Sequence, residues 1–196
     1  MILPIVAYGS SVLRKECEEI EENKDVSKLI GDMFETMYAA KGVGLACPQI
    51  GEAVRMFIVD ASPFAEEEPQ NEDEAKNLAI LKNFKKVFIN PIIEEESGKD
   101  WPFSEGCLSI PGIREDISRK GVINISYFDE NWNYHEDTFA GIAARIIQHE
   151  YDHIEGVLFT DHLNPLKRRL LKRKLQDISK GKVDVDYKMK FVGKNK

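Results

Sequence analysis

The segment Gln148-His149-Glu150-Tyr151-Asp152-His153 carries the residues most suited to chemistry in this 196-residue chain. Two histidines at i and i+4 with a glutamate after the first form the pattern H-E-x-x-H. On a helix these positions share one face a turn apart, so both imidazoles can converge on one cation, at roughly 2.0–2.1 Å if it is zinc. Glu150 then projects beside the cation and not toward it. That is the placement of a carboxylate that accepts a proton from a water the cation has acidified. One histidine on an apolar stripe is ordinarily a core residue; two bracketing a glutamate favour a metal. A catalytic ion usually takes three protein ligands and leaves one position open. The histidine that would complete the extended metalloprotease pattern is replaced by Phe159. His135 and His162 read as surface residues, and Glu155 is too near in sequence to fold back. Cys17, in KECEEI, reads as structural. Cys47 in GLACPQ and Cys107 in EGCLSIPG remain, and the Cys107 segment, flanked by Gly106, Pro111 and Gly112, can pass close to the metal helix.

Hydrophobic periodicity outlines the elements that must position these residues. A helix is predicted from about Thr138 to Ile154, with Ile142, Ile146, His149 and His153 on its inward stripe. Residues 25–40 predict another, carried by Val26, Leu29, Ile30, Met33, Phe34, Met37 and Tyr38, with Asp25 as N-cap and Gly42 as stop. Asn164 and Pro165 predict the start of a third, with Leu166, Leu170, Leu171, Leu175 and Ile178 on one face. Arg55–Asp60, Lys86–Ile93 and Val122–Phe128 read as strands, and DENWN as a turn into a short strand near Tyr134. GVGLACPQIG is too rich in glycine for a helix, and DVDYKMKFVGKNK reads as a short strand or a frayed tail. Separate strands and helices predict an α+β fold, with antiparallel or mixed sheets around a central metal-binding helix.

Hydrophobic residues at 42% and charged residues at 31% exclude disorder and fibrous repeats. One domain is expected over residues 1–196, with a basic helix and tail from about 165. No apolar run approaches the roughly 20 residues of a membrane span. MILPIVAYGS lacks a basic leader, and an odd count of 3 cysteines points to a reducing compartment, so the expected location is cytoplasmic. Net charge is -7, yet residues 165–196 hold 12 Lys/Arg against 3 Asp/Glu. KRRLLKRK (Lys167 to Lys174) reads first as a solvated helix face, and second as a patch for an anionic partner such as RNA. No DNA or membrane partner is expected. EEEPQNEDE (Glu66 to Glu74) reads as a mobile surface loop.

Three segments, in order, resemble the three motifs of the peptide deformylase family: Gly42-Val43-Gly44-Leu45-Ala46-Cys47-Pro48-Gln49, Glu105-Gly106-Cys107-Leu108-Ser109, and Gln148 to His153. The resemblance covers most of residues 1–165. It implies one divalent ion, Fe(II) foremost with zinc, nickel or cobalt able to replace it, held by Cys107, His149 and His153. It implies removal of the N-formyl group from the starting methionine of new polypeptides, with release of formate. Glu150 would move the proton, and the Gln49 amide and Leu108 backbone N–H would receive the developing oxyanion. An extended peptide would pair with the Val43 segment and Gly106, with Gly42 and Gly44 allowing close approach. Val43, Phe103, Ile142 and Ile146 would line the methionine pocket. Arg145 would lay its stem along that pocket and keep its head in solvent. Glu105 and Arg119 would form an ion pair holding the cysteine loop. The basic helix lies beyond the motifs; a contact with ribosomal RNA where new chains emerge is a separate expectation, resting on its charge. Cys47 stands where alanine is common in the family. Residues from about Ser62 to Asn83 exceed the shortest members, as a lid or a decoration. Two other readings compete: a metallopeptidase of internal amides with a His or Glu third ligand, and a metal-stabilised binding module with a closed four-ligand site.

Overall fold

Two long antiparallel strands, β4 (Lys85–Cys107) and β5 (Ile110–Phe128), form the backbone of the computed structural model, which describes residues 1–66 and 78–192. They are joined through Leu108 and Ser109. With β2 (Gly44–Ala46), β3 (Met56–Asp60) and β6 (Tyr134–Ala140) they make a sheet of order β2-β3-β4-β5-β6, antiparallel throughout. β3 reads MFIVD without alternation because it is buried on both faces. A second sheet pairs β1 (Ile5–Val6) in parallel with β7 (Met189–Lys190), so the DVDYKMKF segment holds a strand.

β4 and β5 extend well beyond the predicted strands. Pro91, Pro102, Pro111, Gly98, Gly112 and Gly121 all fall inside them, and these residues ordinarily mark turns. The register slips between Ile89 and Ile92 and between Ser97 and Asp100, and such irregularities accommodate Pro91 and Gly98.

The helices α1 (Ser27–Ala39), α2 (Gly141–Ile154) and α3 (Pro165–Ser179) pack against the sheets. Val26, and not Asp25, occupies the cap position of α1. The Asp25 carboxylate still accepts from the Ser27 N–H at 3.0 Å and the Ser27 hydroxyl at 2.6 Å. α2 begins at Gly141, because Thr138 to Ala140 complete β6 against β5. It is buried along most of its length, and Ala143, Ala144, Ile146 and Ile147 pack into the core with Phe57, Val59, Ile123 and Ile125. α3 is capped as predicted: Asn164 Oδ1 accepts from the Lys167 N–H at 2.9 Å. Its apolar face splits, however. Leu171, Leu175 and Ile178 are buried, whereas Leu166 and Leu170 are 68% and 72% exposed. The acidic run beyond Glu66, and with it residues 67–77 of the 62–83 insertion, lie outside the described residues.

Candidate metal centre

Cys107 ends β4, and α2 carries His149 and His153 across from it. The Cys107 Sγ and one ring nitrogen from each histidine lie within 4.8 Å of one another. Cys107 Sγ and His153 Nε2 are 3.3 Å apart. Burial alone would raise the Cys107 thiol, but the two imidazoles outweigh it and bring the thiol down to about 5. The two imidazoles thus favour the thiolate, the form that ligates a metal. Burial would lower His149, yet Cys107 and Glu105 hold it well above the ordinary histidine value. A soft thiolate and two imidazoles in reach of one point suit a transition-metal ion.

Glu105 organises the surrounding layer. Its Oε2 is 2.9 Å from His149 Nδ1, leaving Nε2 as the nitrogen free to ligate. Arg119 donates to both Glu105 oxygens, at 2.7 and 3.0 Å, and Arg119 Nη1 also meets Asp152 at 2.8 Å. Burial opposes the Glu105 charge, but His149 and Arg119 hold this carboxyl far below the usual range. Arg145 departs from expectation. Its head does not reach solvent: the residue is 2% exposed, and Nη1 donates to Glu105 Oε1 and the Ile117 carbonyl, both at 3.0 Å. Nη2 donates to the Trp101 carbonyl at 2.5 Å, and the guanidinium lies over the Trp101 ring. A carboxylate and two carbonyls within reach of a buried stem turn the head inward. The Asp152 and Arg145 partnerships were not foreseen. The available signal was that Arg145 lies one turn before His149.

β2 brings Gly44 against Glu150. A Cβ on Gly44 would lie 2.3 Å from Glu150 Oε1. Glu150 is buried, its Oε2 has no partner among the described residues, and burial lifts the carboxyl to about 7 against the pull of both histidines. After β2 the chain turns through Cys47–Ile50. There Gln49 Oε1 accepts from the Ala46 N–H at 2.8 Å, which fixes the amide and aims Nε2 at Cys107 Sγ (3.4 Å) and Ser109 Oγ (3.5 Å). Gly42 serves the opposite wall, since a Cβ there would lie 2.8 Å from Leu108 Cδ1.

A cavity of about 470 Å³ opens over these groups. Val43, Gly44, Phe103, Gly106, Leu108 and Ile146 line it as the sequence suggested, together with Gln49, Glu105, Cys107, His149 and Glu150. Ile142 does not line it. It sits in the first turn of α2, one turn further from His149 than Ile146, and packs half-buried against the core. Lys41 and Tyr187 do line it, without any motif to announce them.

The remaining candidates, Cys17, Cys47, His135 and His162, do not line the cavity, although His162 joins the Arg119–Asp152 pair from outside. Cys47 is buried against Met33, and burial pushes its thiol well up; burial likewise lifts the Cys17 thiol to about 11. His135 pairs with Asp129 at 2.9 Å, and His162 with Asp152 at 2.8 Å.

Comparison with known proteins agrees with this geometry. The family model described as polypeptide deformylase matches residues 2–169. The peptide deformylase of Christiangramia forsetii is 57% identical over 97% of this chain and 96% of its own length. That of Flavobacterium psychrophilum is 53% identical over the whole of both chains. Among solved structures, a peptide deformylase from Legionella pneumophila superposes with a TM-score of 0.75 at 34% identity, covering 93% of this chain and 98% of that one. The Synechococcus elongatus enzyme, solved in complex with actinonin, gives 0.73 at 35% identity over 88% and 85%. With a family match spanning both the cysteine turn and the histidine helix, and relatives above half identity along nearly its entire length, the chain belongs to the peptide deformylase family.

Proposed function

We infer that this site removes the formyl group from N-formylmethionyl peptides, releasing formate and a free amine. The observation that carries the reading is the convergence of Cys107, His149 and His153 beside the buried carboxylate of Glu150, at the floor of a cavity. A divalent ion held by those three residues would supply Lewis acidity toward the formyl oxygen and an acidified water. The thiolate and imidazole set suits Fe(II), with zinc, nickel or cobalt as alternatives. Glu150, lifted to about 7, takes the proton of the attacking water and returns one to the leaving amine. Negative charge then grows on the former carbonyl oxygen, where the fixed Gln49 amide and the Leu108 N–H donate. Loss of one such donor removes about 2.7–4 kcal/mol of transition-state stabilisation. Val43, Gly44 and Gly106 receive the peptide backbone as an added strand, and Val43, Phe103 and Ile146 enclose the methionine side chain. Gly42 keeps the Leu108 side chain seated, and Glu105 and Arg119 hold the cysteine turn and His149 in place.

The test is formate release from formyl-Met-Ala, measured with and without a chelator and with Glu150→Gln. Release that survives either treatment rejects this mechanism. The same reading takes residues 1–196 as one catalytic unit working in the cytoplasm, with the exposed basic side of α3 contacting ribosomal RNA. No helix among the described residues is long and apolar enough to cross a membrane. Unchanged ribosome co-sedimentation after the lysines and arginines of Lys167 to Lys174 are replaced by glutamine rejects the RNA contact.

A further inference from the structure

The Leu108–Ser109 turn is tied down from outside its own hairpin. Tyr187 Oη donates to the Leu108 carbonyl at 2.8 Å, and the Tyr8 N–H donates to the Ser109 carbonyl at 2.8 Å. Those two residues arrive on segments that are themselves joined, because the Ile5 N–H donates to the Lys188 carbonyl and the Ala7 N–H to the Lys190 carbonyl, at 2.8 and 2.9 Å. Asp186, one residue before Tyr187, pairs with Lys41 at 2.7 Å. Lys41 immediately precedes the Gly42–Gly44 wall, and both Lys41 and Tyr187 line the cavity. Residues 186–187 thus span the two walls between which a peptide must lie. One side is the segment that receives its backbone, and the other is the turn that carries a metal ligand, an oxyanion donor and the Ser109 hydroxyl near Gln49.

We propose that Tyr187 is a positioning residue for deformylation, its hydroxyl holding the Leu108 carbonyl so that the adjoining Leu108 N–H keeps its aim into the cavity. The proposal rests on the deformylase reading and adds the late segment to its machinery. A donor displaced by a fraction of an ångström serves the ground state almost as well but loses its advantage at the transition state. The hydroxyl should therefore weigh on kcat and leave KM nearly alone.

Tyr187→Phe removes only the oxygen. The metal-loaded variant is expected to keep wild-type metal content, to hold KM for formyl-Met-Ala within about twofold, and to lose roughly tenfold in kcat. Amide hydrogen exchange at Leu108 and Ser109, followed by NMR on the zinc-loaded protein, is expected to quicken without a comparable change in α2. Wild-type kcat together with wild-type exchange overturns the proposal, as does a loss seen entirely in KM. If the phenylalanine variant is too unstable to assay, the zinc-loaded wild-type protein is read instead: the Leu108 carbonyl carbon is expected to resonate as a hydrogen-bonded carbonyl, and a shift that reports no hydrogen bond overturns the proposal. A wild-type protein that releases no formate would instead reject the deformylase reading itself, so the two failures are distinguishable.

Discussion

At position 44 even one methyl group is too many. A Cβ there would sit 2.3 Å from a carboxylate oxygen of Glu150 and 2.8 Å from its Cγ, so the whole side chain would have to shift. Gly44→Ala should therefore displace Glu150 while leaving Cys107, His149 and His153 in place. The expected result is a fall of about 10²-fold or more in formate release, with metal content by mass spectrometry unchanged. Glu105 gives a second residue-scale expectation. Its carboxyl is held below the ordinary value, so its stabilising contribution is present above the unfolded value of about 4.3 and fades as pH falls below that. Glu105→Gln should cost about 3–5 kcal/mol in denaturant titrations at pH 7, because it strands Arg119 and Arg145. The gap from wild type should narrow at pH 3, and a constant gap would contradict this assignment. Residue types alone revealed His149, Glu150 and His153. They could not choose between Cys47 and Cys107, because each cysteine sits among glycine and proline; only the folded chain shows one packed on Met33 and the other facing His153.

Among the elements, the helices were legible to within three residues or so, since each buries a face with helical spacing. The long hairpin was not. Beyond Ile93 its strands carry Glu, Ser, Gly, Lys and Asp, and their pairing with each other, not an apolar stripe, keeps them extended. Sequence patterning reports burial, and a two-stranded ribbon with much of its surface exposed gives it little to report. Leu166 and Leu170 fail for a different reason: at 3.6 residues per turn they lie roughly a third of a turn or more round α3 from the centre of the face made by Leu171, Leu175 and Ile178, which is the face that meets the core. The cap of that helix is an element-scale test. Asn164→Ala should cost about 1 kcal/mol by chemical denaturation, and a cost near zero would mean that tertiary packing alone defines the start of α3.

For the molecule as a whole, α+β architecture around a metal-binding helix followed from the sequence, and structural relatives over most of the chain bear it out. A bound ion belongs to the folded state only, so it should shift the whole unfolding equilibrium, by about 4 kcal/mol when free ion stands at a thousand times Kd. Adding a chelator should lower the thermal midpoint of the wild-type protein and abolish formate release, and re-adding Fe(II) without oxygen should restore both. Cys107→Ser should begin near the chelated midpoint and respond little to chelator. A full response in that variant would move the ion elsewhere.

The ligating sulfur and the ligating nitrogens belong to different elements that touch only after the hairpin has closed and α2 has settled onto the sheet. No short stretch of the nascent chain therefore offers all three. Capture of a divalent ion by all three residues would consequently come late in folding, and occupancy of the site would serve as a readout of completed tertiary assembly.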